Sequence, residues 1–258
     1  MGRTGVSGVL MQALHDLLKL SVAYEVELPP RTDSPVVPQG SAVAGWIDHT
    51  LLKPEATATQ IRRLCLEAQE HQFASVCINP AYVSLAAGLL AHSPVRICTV
   101  VGFPLGASLA SYKVIEALGC MQAGAAEIDM VINIGALKGE AYGMLLNEIE
   151  VLAQATHNQT AILKVIIETA LLTRREKIIA CLISKKAGAD IVKTSTGFAS
   201  AGATVEDVEL MRCVVGSKLG VKAAGGVRTL ADAQAMIRAG ATRLGSSAGV
   251  QIMREALA

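Results

Sequence analysis

A lysine ends a short apolar run in the second half of the chain. Residues 189–192 are mostly apolar and predict a buried strand, Lys193 follows them, and the small residues 194–197 come next. Burial disfavours the charged form of an amine, and a neutral lysine is the nucleophile with which Schiff-base enzymes attack carbonyl groups. A lysine at a strand end can instead extend its ammonium group to solvent. The stretch therefore predicts a Schiff-base lysine only if other residues support that chemistry.

Four further ionisable residues on predicted strands support it, namely Asp48, Asp129, Lys164 and Lys222. In a barrel of parallel strands, we expect them with Lys193 at the carboxyl ends of five strands, where catalytic residues lie. Two neighbouring lysines cannot both stay charged cheaply, so one is predicted to be a neutral nucleophile. A nearby carboxylate with bound water can move protons. The alternative is an ion-pair network that only closes the barrel.

Glycine and serine follow three consecutive predicted strands. Gly197 follows the sixth, Gly225 and Gly226 follow the seventh, and Ser246 and Ser247 follow the eighth. Backbone N–H groups in such loops bind anions, and the loops after strands seven and eight of a barrel often bind phosphate. Glycines can also merely permit tight turns. Three such loops on adjacent strands favour a phosphate site made by these five residues.

The composition limits the possible partners. The net charge is +1 and only 3% of the residues are aromatic, so nucleic-acid binding is not predicted. No run of about 18 apolar residues indicates a membrane span. The apolar stretch after Arg3 is interrupted by His15, Asp16 and Lys19 and does not resemble a secretory signal. We therefore expect a cytoplasmic protein.

The cysteines and histidines show no metal-binding spacing. None of the six cysteines forms a C-x-x-C pair, and the five histidines form no H-E-x-x-H pattern, so neither a metal site nor a cofactor is predicted. Scattered cysteines in a chain of 258 residues indicate small buried apolar side chains in a reducing compartment. Cys77, near the end of a predicted strand, is assigned to the core rather than to catalysis.

Short apolar segments alternate with helical patterns after residue 40. The predicted strands are 44–48, 73–79, 95–101, 126–132, 162–168, 189–194, 220–224 and 241–245. The predicted helices are 57–71, 80–90, 108–123, 137–157, 173–187, 204–215, 229–239 and 247–257. This alternation predicts an α/β fold, a (β/α)8 TIM barrel. A doubly wound open sheet is the alternative, but residues 49–54 lack the G-x-G-x-x-G turn that usually follows its first strand.

Residues 1–40 differ from the rest of the chain. A short helix is predicted over residues 9–20, and residues 28–40 contain four of the eight prolines. We therefore expect an N-terminal extension of residues 1–40, to which no function is assigned, before a barrel domain of residues 41–258.

Seven segments, in order between residues 44 and 255, share the motifs of one known family. They are 48–54, 76–80, 101–106, 127–133, 163–169, 192–198 and 220–229. In these motifs the chain resembles the deoxyribose-phosphate aldolases. The resemblance implies a (β/α)8 barrel and a class I aldolase, a carbon–carbon lyase that needs no metal.

The resemblance also implies roles for residues already singled out. Lys193 would form the Schiff base, and Lys222 would favour its neutral form and help to transfer protons. Asp129 would donate and accept protons through water, with Asp48 and Lys164 supporting it. The glycine and serine loops would hold the substrate phosphate. The implied reaction is the reversible cleavage of 2-deoxy-D-ribose 5-phosphate to D-glyceraldehyde 3-phosphate and acetaldehyde.

Two features depart from the pattern of some family members. Some carry a C-terminal tyrosine that reaches the site, whereas residues 255–258 contain none, so proton transfer is expected to depend on Asp129, Lys222 and water. Some carry a lysine where this chain has Phe198, which removes a possible phosphate contact. Members are often dimers or tetramers, so a homo-oligomer is expected.

Two rival functions fit parts of the pattern. A phosphosugar isomerase would use the barrel and the phosphate loops with an acid–base pair, and it would need no neutral lysine. A non-catalytic barrel that binds a sugar phosphate or a protein partner would keep the loops and lose Lys193 or Asp129. Both residues are present, which disfavours the second rival.

Overall fold

In the computed structural model, eight parallel strands close into a barrel with helices between successive strands. It describes residues 4–31 and 35–258, with side chains from residue 11 onward. The strands are β1 (Ile47–Leu51), β2 (Ser75–Ile78), β3 (Arg96–Val101), β4 (Glu127–Val131), β5 (Ile162–Ile166), β6 (Ile191–Lys193), β7 (Gly220–Ala224) and β8 (Arg243–Ser246). The predicted (β/α)8 topology is confirmed, and the open sheet is wrong.

The first strand begins later in the chain than predicted. Gly40–Trp46 forms a 3-10 helix, and β1 begins at Ile47 instead of residue 44. A strand needs hydrogen-bonding neighbours on its edges, and the register of β1 with β8 begins where Ile47 faces Leu244. Asp48 is therefore the second residue of β1 rather than its last.

Ten α-helices are present in the described part of the chain. They are α1 (Thr4–Val26), α2 (Ala58–His71), α3 (Val83–Leu90), α4 (Ala110–Gln122), α5 (Ile134–Lys138), α6 (Tyr142–His157), α7 (Arg174–Lys186), α8 (Val205–Val215), α9 (Leu230–Ala239) and α10 (Gly249–Leu257). Thr57 and Thr173, the first residues of the predicted helices 57–71 and 173–187, cap α2 and α7 in capping boxes.

The predicted helix 137–157 is two helices, α5 and α6. Gly139 ends α5, and Glu140 adopts a φ of 57°, which lies outside the right-handed helical region. The two helices therefore cannot be continuous. The predicted helix 80–90 likewise begins with a separate 3-10 turn, Pro80–Tyr82, before α3.

The N-terminal helix α1 is longer than the predicted 9–20. Its Leu14 and Leu17 are buried in the main hydrophobic cluster, and the helix packs against α7. The irregular segment predicted at 28–40 is described except for residues 32–34. Every helix in 4–31 and 35–258 is too short or too polar to cross a membrane. The domain boundary at residue 41 stays a prediction.

Candidate active site

Asp129, in the middle of β4, is the centre of a buried ion-pair network. Its Oδ1 lies 2.7 Å from Nζ of Lys164, and its Oδ2 lies 2.7 Å from Nζ of Lys193 and 2.8 Å from Nζ of Lys222. Burial by itself would raise the pKa of this carboxyl group, but the three ammonium groups outweigh it and hold the pKa well below its ordinary value. Asp129 is therefore an ionised acceptor shared by three lysines.

Lys222 bridges Asp129 to a second carboxylate, that of Asp48. Its Nζ lies 2.5 Å from Oδ2 of Asp48. Burial opposes its charge, but Asp129 and Asp48 outweigh burial and raise the pKa of Lys222 above its ordinary value. Asp48 Oδ1 accepts hydrogen bonds from Ser75 Oγ at 2.7 Å and from Arg243 at 2.6 Å. Although burial raises the pKa of Asp48, its cationic neighbours lower it further, so Asp48 is ionised.

Two network members, Glu127 and Arg243, were missed in the sequence. Glu127 Oε2 lies 2.6 Å from Nζ of Lys164, and Arg243 lies 3.4 Å from Glu127. Side chains two residues apart on a strand share a face, so the pair Glu127 and Asp129 in the quoted motif could have revealed Glu127. Arg243 is the first residue of β8 and lies outside the family motifs. As an ionisable residue within the predicted strand 241–245, it carried the same signal as Asp48 and Lys222.

The network lies inside the barrel rather than along its carboxyl rim. Only Lys193 is the last residue of its strand; Asp48, Asp129, Lys164 and Lys222 are internal residues of theirs. The expectation that all five stand at strand ends is therefore wrong. Charges can be buried at this depth because each one meets an opposite charge within hydrogen-bonding distance.

Above the network is a cavity of about 340 Å³, which we call the Lys193 cavity. The lysine lines it together with every residue predicted to bind phosphate, namely Gly197, Gly225, Gly226, Ser246 and Ser247. The structure thus brings the predicted nucleophile and the predicted phosphate loops to one cavity. Lys164, Lys222, Asp48 and Asp129 have no exposed surface and lie below it.

Two glycines of these loops leave open space beside the backbone. Gly197 and Gly226 have φ values of +88° and +85°, and no atom beyond their chain neighbours lies within 4 Å of where a Cβ would be. Ser246 Oγ is already engaged, because it donates to the Val227 carbonyl at 2.7 Å and accepts from Ala248 N at 3.0 Å. Ser247 is exposed and forms the lip of the cavity.

Glu168, which is not among the predicted site residues, contacts the loop after β6. It has a φ of +57°, is almost fully buried, and accepts hydrogen bonds from the backbone N–H of Thr196 at 3.2 Å and from its hydroxyl group. The residue lay inside a quoted motif, but only the folded chain shows its contact with Thr196. Glu168 therefore holds the residue that precedes Gly197.

The cavity wall also contains one aromatic ring and two cationic side chains. Phe198 lines the cavity, and its ring packs edge-to-face on Phe103 with centroids 5.3 Å apart. Lys53 and Arg228 line the cavity as exposed cations and were not predicted as site residues. Both residues lie inside the family motifs, but the position of a loop cation in the sequence does not show which cavity it lines.

Cys77 and Cys98 lie directly opposite each other on β2 and β3 and are fully buried. Cys98 Sγ is 3.1 Å from both Lys164 Nζ and Asp129 Oδ1. A hydrogen bond from Cys98 lowers the pKa of Cys77 to about 7 against the opposing effect of burial. The core assignment of Cys77 fits its burial. Cys65, Cys77, Cys98, Cys120 and Cys181 are buried free thiols, but Cys213 is only half-buried, so the expectation of six buried cysteines is wrong.

Two groups of possible metal ligands overlap with this network. They are Cys77 with Cys98 and Asp129, and Asp48 with Cys98 and Glu127. Their carboxylates already neutralise lysine and arginine side chains at 2.5–2.8 Å. A divalent cation there would have to displace those ammonium and guanidinium groups, so the residues do not fit a metal site.

A cavity at the carboxyl ends of barrel strands, with a lysine network beneath it, has the arrangement of a (β/α)8-barrel enzyme site. The chain belongs to the DeoC/LacD family of aldolases, whose family model matches residues 42–258. The family resemblance seen in the motifs is thereby confirmed.

Curated relatives match over most of this chain. A deoxyribose-phosphate aldolase of Halalkalibacterium halodurans is 57% identical over 213 residues, which are 82% of this chain and 95% of the relative. A solved structure from Coccidioides immitis has a TM-score of 0.87 at 43% identity and covers 93% of this chain and 96% of its own. That of an Aeropyrum pernix deoxyribose phosphate aldolase, described as tetrameric, has a TM-score of 0.78 at 32% identity, with the same coverage of the two chains.

Proposed function

We propose that this protein reversibly cleaves 2-deoxy-D-ribose 5-phosphate to D-glyceraldehyde 3-phosphate and acetaldehyde through a Schiff base on Lys193. The observation that carries the proposal is the position of this lysine. It is the one lysine of the Asp129 network that also lines the cavity. The family supports aldol chemistry, and the names of the relatives support the substrate.

The buried network contains more cations than carboxylates. Three carboxylates, those of Asp48, Glu127 and Asp129, face four largely buried cationic side chains, those of Lys164, Lys193, Lys222 and Arg243, and the exposed Arg96 also reaches Glu127 at 3.5 Å. Unbalanced charge is costly in a buried region. We infer that Lys193, the lysine of the network that borders the cavity, is the amine that reacts with a carbonyl group there.

Asp129 and Lys222 are placed to move protons at the reacting atoms. Lys193 attacks the aldehyde carbon of the open-chain sugar, and loss of water forms the iminium ion. The iminium draws the electrons of the C2–C3 bond as that bond breaks and the C3 hydroxyl loses its proton. Glyceraldehyde 3-phosphate leaves, the enamine takes a proton at C2, and water releases acetaldehyde and the free lysine. Asp129 Oδ2 contacts both Lys193 and Lys222, so a proton can pass between them without a long transfer.

Lys164 and Asp48 have supporting roles in this proposal. Lys164 neutralises Asp129 Oδ1 and Glu127, and Asp48 keeps Lys222 charged. Both residues act on the reacting atoms through Asp129 or Lys222, which makes them positioning residues. Arginine cannot replace Lys193, because a guanidinium group stays charged.

The glycine loops and Ser247 would bind the phosphate of the substrate. Gly197, Gly225 and Gly226 offer backbone N–H groups beside the cavity, and Ser247 adds a hydroxyl group. Because the hydroxyl group of Ser246 is engaged with Val227 and Ala248, Ser246 would contribute only its backbone.

Borohydride trapping tests the proposal. We would incubate the protein with acetaldehyde, reduce it, and map the modified peptide by mass spectrometry. The expected result is a two-carbon adduct on Lys193 that is absent from Lys193→Ala. Lys185→Ala, which removes an exposed lysine of α7, is the matched control and should be trapped like the wild type. No adduct on folded protein would refute the mechanism and favour the isomerase.

A homo-oligomer, dimer or tetramer, stays a prediction. It is supported by the description of the Aeropyrum pernix relative as tetrameric. A cytoplasmic location also stays a prediction.

A further inference from the structure

Lys53 is an exposed cation at the Lys193 cavity. It lines the cavity from the loop after β1. Within the described residues, Lys53 is hydrogen-bonded through its backbone carbonyl alone. An unpaired lysine on a convex surface needs no explanation, but this one borders a concave site made of glycine and serine loops.

The topology places Lys53 on the opposite flank of the phosphate loops from Phe198. In the closed barrel β1 is the neighbour of β8, with His49 facing Ser246. The loop that carries Lys53 therefore adjoins the loop that carries Ser247. Phe198 lies on the other flank, after β6, where its ring packs on Phe103 and offers no hydrogen-bond donor.

The backbone of Lys53 is held in place. Its carbonyl accepts hydrogen bonds from Asn79 Nδ2 at 3.3 Å and from Ala56 N at 3.1 Å, and the preceding Leu52 is buried against Cys77 and Cys98. Because its backbone is fixed, the flexible side chain of Lys53 can reach only a limited part of the cavity mouth. This restriction favours a ligand-binding role over a freely solvated surface lysine.

The other cation of the cavity wall is Arg228, in the loop after β7. Its backbone N–H donates to Asp232 Oδ2 at 3.0 Å, which holds the backbone at the start of α9. Lys53 is the cation that the loop after β1 contributes to this wall.

We propose that Lys53 binds the phosphate group of the substrate and supplies, from the loop after β1, the positive charge that position 198 does not provide in this chain. The inference rests on the proposed function. Lys53 selects for phosphorylated over unphosphorylated sugars, and it takes no part in the chemistry at Lys193.

The test compares 2-deoxy-D-ribose 5-phosphate with unphosphorylated 2-deoxy-D-ribose. For Lys53→Ala we expect KM for the phosphorylated sugar to rise about tenfold, because a charge-assisted hydrogen bond to the phosphate is lost. The kcat and the kinetics with 2-deoxy-D-ribose should change less than twofold. Lys53→Arg should keep most of the affinity. The matched control is Lys218→Ala, which removes the same charge next to the amino-terminal end of β7, at the far face of the barrel.

The dependence of KM on salt concentration is a second test of the role of Lys53. The KM of the wild type for the phosphorylated sugar should rise with potassium chloride concentration, and this dependence should flatten in Lys53→Ala. The inference is overturned if KM for the phosphorylated sugar stays within twofold of wild type. It is also overturned if both sugars lose affinity equally, or if Lys53→Arg loses as much as Lys53→Ala.

Acetaldehyde trapping distinguishes a failure of this inference from a failure of the proposed function. Acetaldehyde has no phosphate, so Lys53→Ala and the wild type should give equal adducts on Lys193. Equal adducts with an unchanged KM would refute only the role of Lys53. Absence of the adduct in both proteins would refute the proposed function itself.

Discussion

Replacement of Lys222 with methionine removes one of two ammonium groups that contact the same oxygen of Asp129. The two Nζ atoms lie at 2.7 Å and 2.8 Å from that oxygen, so they are at most about 5.5 Å apart. At an effective dielectric constant of about 20, two charges at this separation repel by ~3 kcal/mol. This repulsion offsets part of the attraction between Asp129 and Lys193, so its loss strengthens that ion pair.

The expected consequence is slower Schiff-base formation. In Lys222→Met, Asp129 holds the Lys193 amine more tightly, so this amine attacks acetaldehyde less readily. The ~3 kcal/mol correspond to a trapping rate at pH 7 that is about a hundredfold lower.

The assay is reductive trapping of acetaldehyde at pH 7, followed by quantification of the adduct on Lys193. Lys222→Arg keeps the positive charge and is the control, with a trapping rate expected near that of the wild type. Thermal unfolding shows whether each variant is folded, since removal of one partner of a buried ion pair costs about 3–5 kcal/mol. A folded Lys222→Met that is trapped as fast as the wild type would refute the electrostatic reasoning.

Two further predictions concern the support of the site. Glu168→Gln should raise KM for the phosphorylated sugar by roughly tenfold with a small change in kcat, because the acceptor that holds Thr196 is weakened; unchanged steady-state kinetics would contradict this. The pKa values of Asp48 and Asp129 lie below the ordinary value of 3.8 in the folded protein. These two carboxylates therefore stabilise the fold above about pH 4, and this stabilisation is lost as the pH falls through the lowered pKa values. The free energy of unfolding, measured with urea, should therefore be lower at pH 3 than at pH 5. The decrease should be smaller in Asp48→Asn, and an equal decrease in that variant would contradict the assignment of Asp48 as an ionised carboxylate.

Local signals predicted most elements of the fold correctly. Thr57 and Thr173 marked helix starts, and the apolar runs marked all eight strands. Local signals failed where the outcome depends on a neighbour. Residues 44–46 look like a strand but form a 3-10 helix, because pairing with β8 begins only at Ile47. Glu140 breaks a continuous helical pattern through its backbone conformation, which hydrophobic periodicity does not report.

The sequence by itself determined the alternation of strands and helices, the motifs of the aldolase family, and the residue types that Schiff-base chemistry needs. Only the tertiary structure decided which charges meet. Arg243 and Glu127 joined the network, and Lys53 reached the cavity, because barrel closure brings β8 beside β1 and makes distant strand faces converge. Position within a strand sets which way a side chain points, but the depth of burial and the opposing charge come from strands far away in sequence. Those two quantities decide whether a lysine is an inert ion-pair partner or an accessible nucleophile.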